Sequence, residues 1–292
     1  MPTTTKLTTP EWRLADVGED VYEPSEDTFL LLDALEAELP WLQERHARDQ
    51  NSVDTDLAWT ERKHGSDQKT KEAHLPCLAG RDENIKEAHL PCLASRDHNT
   101  KDARLPCLAS RDENTKEARL PSWRHGSLVV ELGSGAGLVI TAMAQALQGR
   151  AHCVAVDINP EACRATKATA QLNNAQVEVI RGDLLDCLQP GCIDLLIFNP
   201  PYVVTHPDEI HQGDGINRSY AGGIRGRQVM DRLFPQLPRL MAPRSCVYMV
   251  VIDENDPQQI AKLLQDLGFE SSVVMSRRAG VERLSVMKFV RL

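Results

Sequence analysis

The sequence predicts a doubly wound α/β protein, with one seven-stranded sheet, a helical arm in front of it and a low-complexity insertion between the two. Three observations carry that prediction. Short apolar runs with the composition of buried parallel strands recur through the C-terminal part of the chain. The first, 128–132, passes straight into Gly133-Ser134-Gly135-Ala136-Gly137 and then a helical stretch over 138–147, a glycine turn between strand and helix. Five strand–helix alternations follow one another, the pattern of a sheet with helices on both faces.

The arm comes first. Residues 1–45 carry three basic side chains, Lys6, Arg13 and Arg45, against eleven acidic ones, so the formal net charge of -9 belongs mainly to this end. Within it, Ser25-Glu26-Asp27-Thr28 leads into Phe29, Leu30, Leu31, Leu32, Leu35 and Leu39. Acidic residues in a first turn suit the positive end of the helix dipole, and the apolar face predicts packing on the domain that follows. No run of 18 apolar residues and no signal peptide is visible, so a soluble protein with reduced cysteines, cytosolic or nuclear, is expected.

Residues 46–124 form the insertion, in which acidic and basic side chains balance at 14 each. From Lys71 the chain repeats with a 15-residue period, again from Lys86 and Lys101, then in a truncated copy from Lys116. Each copy holds a helix-breaking proline (Pro76, Pro91, Pro106, Pro121) and only a small apolar cluster, which predicts a disordered or weakly ordered segment. His74-x-x-Cys77 and His89-x-x-Cys92 invite a metal, but the third copy has Arg104 for His and the fourth Ser122 for Cys. Structural zinc needs four ligands at set spacing, so no metal site is expected.

Residues 125–292 form the third region, where the chemistry lies. A second strand, 151–157, ends in Asp157, 20 residues after Gly137, where a carboxylate can accept both hydroxyls of a ribose. A third, 176–180, ends at Gly182-Asp183, whose acid can meet an adenine edge. The glycine turn lets backbone N–H groups approach such a ligand. Glu131, Asp157 and Asp183 each have a plainer reading as caps of the turn or helix that follows. The fourth strand, 193–198, runs into Asn199-Pro200-Pro201-Tyr202. Two prolines fix φ and remove two donors, leaving a rigid loop that offers acceptors. The side-chain carbonyl of Asn199 and the main-chain carbonyl of Pro200 can each take one hydrogen of a planar –NH₂ group while Tyr202 covers its face, which implies an amide or an exocyclic base amine as target. The glycine-rich stretch 205–226, with His206 and His211, is expected to gate the substrate. The histidines are weak candidates for a base. A helix over 227–240, a strand over 246–252, a helix over 257–267 and closing strands over 271–274 and 284–290 complete the sheet.

Taken together, Glu131-Leu-Gly-Ser-Gly-Ala-Gly137, Asp157-Ile-Asn-Pro160 and Asn199-Pro-Pro-Tyr202 resemble a class I S-adenosylmethionine-dependent methyltransferase of the HemK type. Val21–Asp33, Phe198–Thr205, Ala221-Gly-Gly and Leu284–Phe289 narrow the resemblance to the eukaryotic protein-glutamine N5-methyltransferase of the class-one release factor. It covers about 15–42 and 127–292; the insertion is foreign to it. The resemblance implies a Rossmann-like sheet and S-adenosyl-L-methionine as methyl donor, held by Thr28, Glu131, Gly133, Gly135, Asp157, Asp183, Leu184 and Asn199. Glu131 would reach the methionine amine and Thr28 would lie near the methionine end. Asn199, Pro200 and Tyr202 are implied as catalytic, and Asn199, Pro200, Pro201, Tyr202 and Val203 as the substrate-binding run. A small zinc-binding activator subunit is the implied partner and a Gly-Gly-Gln release factor the substrate. An adenine-N6 methyltransferase acting on DNA or RNA shares the Asn-Pro-Pro-Tyr logic and remains the alternative, with another protein residue such as a histone lysine behind it. Outside Arg218, Arg225, Arg227 and Arg232 no basic stripe would grip phosphates. An inactive cofactor-binding scaffold is the third reading, against which the intact Asn199–Tyr202 run speaks.

Overall fold

Seven strands form one mixed sheet in the computed structural model, which describes residues 7–11, 20–42, 126–210 and 216–292. They are β1 (Ser127–Leu132), β2 (Ala151–Asp157), β3 (Glu178–Arg181), β4 (Ile193–Phe198), β5 (Met241–Ile252), β6 (Phe269–Ala279) and β7 (Glu282–Arg291), ordered β3-β2-β1-β4-β5-β7-β6. The first five lie parallel, and β7 runs antiparallel to both β5 and β6. The chain winds outward from β1 to β3 and then returns to β4 on the other side of β1. Open α/β sheets hold their ligands outside the carboxyl ends of the strands at such a reversal.

The helices are α1 (26–42), α2 (Leu138–Leu147), α3 (Pro160–Leu172), the short α4 (Asn217–Tyr220), α5 (Gln228–Leu233), α6 (Leu237–Leu240) and α7 (Pro257–Asp266). Successive strand residues face opposite sides of a sheet, and the core divides accordingly. Val129, Leu195, Ile197 and Tyr248 pack with Leu30, Leu31, Leu35 and Leu39 of α1 and Ile140, Met143 and Leu147 of α2. Val130, Leu196, Phe198 and Val247 pack with Met230 and Leu233 of α5 and Ile260 and Leu264 of α7. Polar ties fasten α1 further: Tyr248 Oη donates to Glu38 at 2.8 Å, Lys288 Nζ sits 2.6 Å from the same carboxylate and 3.9 Å over the Trp41 ring, and Arg277 reaches Asp33 at 2.5 Å. Truncating one such buried leucine to alanine costs about 2–5 kcal/mol, so the arm is part of the folded domain.

Several boundaries differ from the sequence reading, each for a local reason. The helix expected over 227–240 is broken into α5, a 3₁₀ turn at Phe234–Gln236 and α6, because Pro235 and Pro238 lack the N–H a continuous helix needs. β5 starts at Met241 instead of 246 and meets β4 with a register shift between Ile193 and Leu195. β6 is 11 residues long where 271–274 was expected, since an exposed edge strand rich in serine and arginine carries little apolar signal. α3 was not among the predicted stretches, although Asn159-Pro160 is a helix start: Asn159 Oδ1 accepts from Glu161 N and proline occupies the first position. The repeats and their His-x-x-Cys pairs lie outside the described residues. Among the described residues no helix is long and apolar enough to cross a membrane.

Candidate active site

A cavity of about 820 Å³ opens at the carboxyl ends of β1, β2 and β4, within the range of small-molecule sites. Thr28, Glu131, Gly133, Gly135, Asp157, Asp183, Leu184, Asn199 and Pro201 all lie on its wall, whereas Pro200, Tyr202 and Val203 do not. Elements distant in sequence are thus brought to one place, the arm included.

One half of the cavity is the glycine turn. Gly137, the residue before α2, has φ 79°, and a Cβ there would lie 2.6 Å from Thr166 Cα, so the close approach of α3 requires glycine. Thr166 Oγ1 donates to Gly135 O at 3.1 Å and Thr169 Oγ1 to Ala136 O at 2.7 Å, which sews α3 to the turn. Asp157 accepts from Gly135 N at 3.0 Å through one oxygen and from Asn159 N at 2.9 Å through the other. Gly135 N–H therefore serves the turn itself and is not an open donor for a ligand, as the sequence reading had it. Burial raises the Asp157 carboxyl above its ordinary range, against the pull of these N–H donors. Glu131 Oε2 accepts from Ile140 N at 2.9 Å in the first turn of α2, so it caps that helix while lining the cavity. Burial, assisted by Asp157, pushes its carboxyl up to about 8. Asp183 is half-exposed and tied to Arg232 at 2.7 Å, and Leu184 beside it has φ 51°.

The other half is the loop after β4, and its centre is Asp27, a residue that sequence reasoning placed only in a helix first turn. Asp27 is 3% exposed. Its Oδ1 accepts from Thr28 N at 2.7 Å, its Oδ2 from Asn199 Nδ2 and Tyr202 Oη at 3.1 Å each, and both oxygens lie 3.2 Å from Tyr22 Oη. Burial first and then the Asp27 charge push the Tyr22 hydroxyl up to about 12 and raise that of Tyr202 as well. With its amino group held by Asp27, Asn199 is fixed in rotation, and its Oδ1 is buried with no hydrogen-bond partner among the described residues. An orphaned buried acceptor is costly to leave unpaired, about 1–3 kcal/mol, and marks where a donor belongs.

Tyr202 lies off the cavity wall with its hydroxyl bonded to Asp27, so it braces Asn199 through that shared carboxylate. Val203 has its main chain engaged by the glycine-rich stretch: its N–H donates to Tyr220 O at 3.0 Å and its carbonyl accepts from Gly222 N at 2.8 Å. Three of the four arginines are engaged by protein groups: Arg227 is 4% exposed and bonded to Asp231 and Gln259, Arg225 also reaches Gln259, and Arg232 holds Asp183. His206 is exposed, off the cavity wall and next to Asp208; His211 lies outside the described residues. Pro200 is buried beside Asn199.

The wall presents Asp20, Asp27, Glu131, Asp157, Asp183 and Asp231 against Arg218 and Arg232. With Glu131 lifted to about 8, the aspartates carry most of the negative character of this wall, which disfavours phosphates and suits a ligand bearing a diol and positive charge, as S-adenosylmethionine does with its ribose, amine and sulfonium. The family "Methyltransferase small domain" matches residues 118–213. Methyltransferase HEMK2 of Homo sapiens is 42% identical over 167 residues, covering 56% of this chain and 78% of its own. The eRF1 methyltransferase catalytic subunit mtq2 of Schizosaccharomyces pombe is 33% identical over 177 residues, 56% of this chain and 76% of its own. The solved E. cuniculi Mtq2-Trm112 complex shares the fold at TM-score 0.50 and 21% identity, over 94% of this chain and 99% of that one. With a relative this similar over more than three quarters of that relative's length, the chain belongs to the HEMK2-type family of S-adenosylmethionine-dependent methyltransferases.

Proposed function

We propose that this chain methylates the side-chain amide nitrogen of a glutamine in a protein, the class-one release factor eRF1, as the catalytic subunit of a heterodimer with a small activator. The observation that carries the chemistry is the fixed, unpartnered carbonyl of Asn199 behind a buried carboxylate. The names of its relatives carry the substrate and the partner: mtq2 of fission yeast is an eRF1 methyltransferase subunit, and the solved Mtq2 is in complex with Trm112. The cytoplasm, where a release factor works, is the compartment we assign.

Bound S-adenosylmethionine supplies a methyl group already activated by its sulfonium. Glu131 and Asp157 would hold its amine and its ribose hydroxyls, beside the glycine turn that lines the same cavity. Asn199 Oδ1 accepts one N–H of the target amide, which orients the nitrogen and gains strength as positive charge develops on it. Asp27 prevents the Asn199 amide from turning its donor toward the substrate, where it would repel the amide N–H. The nitrogen sheds its proton after transfer to water, so no histidine is needed. The negative wall and the engagement of Arg225, Arg227 and Arg232 favour a protein amide over a phosphate-rich duplex.

The test is transfer of labelled methyl from S-adenosylmethionine, with and without the activator subunit, to a Gly-Gly-Gln release factor or to adenine-containing DNA. Label on the glutamine is expected; label on DNA alone would replace this reading with the adenine one.

A further inference from the structure

We infer that Asn255 is a positioning residue for methyl transfer: buried outside the cavity, it sets the acceptor loop from behind as Asp27 does from the front. Asn255 ends the 3₁₀ turn Asp253–Asn255 that follows β5, and none of its surface is exposed. Its side-chain amide is bonded in three directions. Oδ1 accepts from Ile252 N at 2.8 Å, while Nδ2 donates to Tyr202 O and to Arg225 O at 2.9 Å each. The end of β5, the loop carrying Asn199 and the glycine-rich stretch are thus joined through one group. Gly226 makes the reach possible: its φ is 65°, and a Cβ there would stand 1.9 Å from Tyr202 O and 2.5 Å from Asn255 Nδ2. Arg227 steadies the other side, donating to Asn255 O at 3.4 Å and to Gln259 at 2.6 Å.

The consequence follows from rigidity. Tyr202 is pulled through its hydroxyl by Asp27 and through its carbonyl by Asn255. With both ends of that residue fixed, the two prolines before it leave Asn199 little freedom. Asn255 is absent from the cavity wall, so it acts on the site through the backbone it holds, the Tyr202 carbonyl first and that of Arg225 beside it. A displacement of about 1 Å in a near-attack geometry is enough to cost on the order of 10²-fold in rate.

The inference rests on the amide reading of the site, and its test separates the two. In the heterodimer, Asn255→Ala should lower the single-turnover rate about tenfold or more while the dissociation constant for S-adenosylmethionine stays within about twofold, the split expected of an effect confined to the transition state. Asn255→Asp keeps the bond from Ile252 N but loses the donors to Tyr202 and Arg225, and should lose as much rate. Gly226→Ala drives a methyl group into the contact between Tyr202 O and Asn255 Nδ2; the folded variant should show the same split, and decides the matter should the Asn255 variants not fold. Amide hydrogen exchange at Val203 and Gly222 should quicken in all of them, a readout that needs no substrate. A parent rate in Asn255→Ala, or cofactor affinity falling in step with rate, overturns the inference. A parent enzyme that methylates no amide, with exchange at Val203 still quickened, breaks the reading of function and leaves the positioning intact.

Discussion

Around the glycine turn, the groups that shape the cavity find their partners close by in sequence. Gly135 N meets Asp157, 22 residues on, and Thr166 returns to Gly135 O across 31. Around Asn199 they come from far away: Asp27 is 172 residues distant and Asn255 reaches Tyr202 across 53. The centre of the cofactor half is therefore assembled by consecutive β-α-β units, and the arm adds only its rim, where Asp20 O accepts from Asn159 Nδ2 at 2.8 Å. The acceptor half exists only when arm, loop and β5 have all met. Methyl-donor binding and methyl transfer should accordingly come apart under mutation.

The largest effect is expected from the pair that separates the halves most cleanly. Asn199→Ala should lower methyl transfer by about 10² or more and leave cofactor affinity within a factor of a few, since its bond strengthens only as charge reaches the nitrogen. Asp157→Ala should do the reverse, weakening S-adenosylmethionine binding by about 1–3 kcal/mol through loss of charge-assisted bonds in a water-poor pocket. Calorimetry and single-turnover transfer on both variants decide it. A shared loss in both parameters would show that the halves are one cooperative unit.

A somewhat smaller loss of rate is expected from the arm. Asp27→Asn keeps the size but puts an amide donor among the hydroxyls of Tyr22 and Tyr202 and the amino group of Asn199, freeing Asn199 to rotate. The rate should fall about tenfold or more, and stability by about 1–3 kcal/mol, because buried donors lose their acceptor. Unchanged transfer in a folded Asp27→Asn protein would remove the arm from the acceptor half.

On the cofactor side the sharper probe is pH. The Glu131 carboxyl, lifted by burial from 4.5 to about 8, holds in the native state a proton that the unfolded chain releases near 4.5. Its contribution to stability is full below about 4.5 and is lost as pH rises through about 8. The melting temperature of the parent relative to Glu131→Gln should therefore decline between about pH 5 and 8 and then level. S-adenosylmethionine affinity should move the other way, since a cationic amine wants the ionised carboxylate. A difference in melting temperature that is flat across this range would mean that Glu131 is ionised throughout.

What could be read from the sequence divides along the same line. Strand runs, the glycine turn, Asp157 and Asn199 were legible because each has a local signature: an apolar run, a glycine spacing, a pair of prolines. Asp27 stands within the Ser25–Thr28 start of α1 yet reads as a dipole partner, since nothing local tells an exposed first-turn carboxylate from one that is 3% exposed. Asn255 gives no signal at all, as an asparagine in a turn is ordinary. The bracing bond of Tyr202 was hidden for the same reason, the hydroxyl's partner being 175 residues away.

The smallest effect expected is the one that bears most on how the acceptor half is built. The arm delivers Asp27 to Asn199 although residues 46–124 separate it from the sheet. What holds it there is visible: Leu30, Leu31, Leu35 and Leu39 lie in the core, and Glu38 is bound by Tyr248 and Lys288. The insertion balances its charges, carries a proline in each copy and has only a small apolar cluster per repeat, so its sequence offers little on which that docking would depend. Deleting 51–122 leaves residues 43–50 and 123–125 as a short connection. Lengthening or shortening such a connection changes loop-closure entropy only slowly, by about 0.6 kcal/mol for each doubling. The melting temperature, the S-adenosylmethionine affinity and the rate of transfer should all stay close to those of the parent. A fall in rate with affinity intact would show that the insertion helps to seat Asp27, and would join it to the acceptor half.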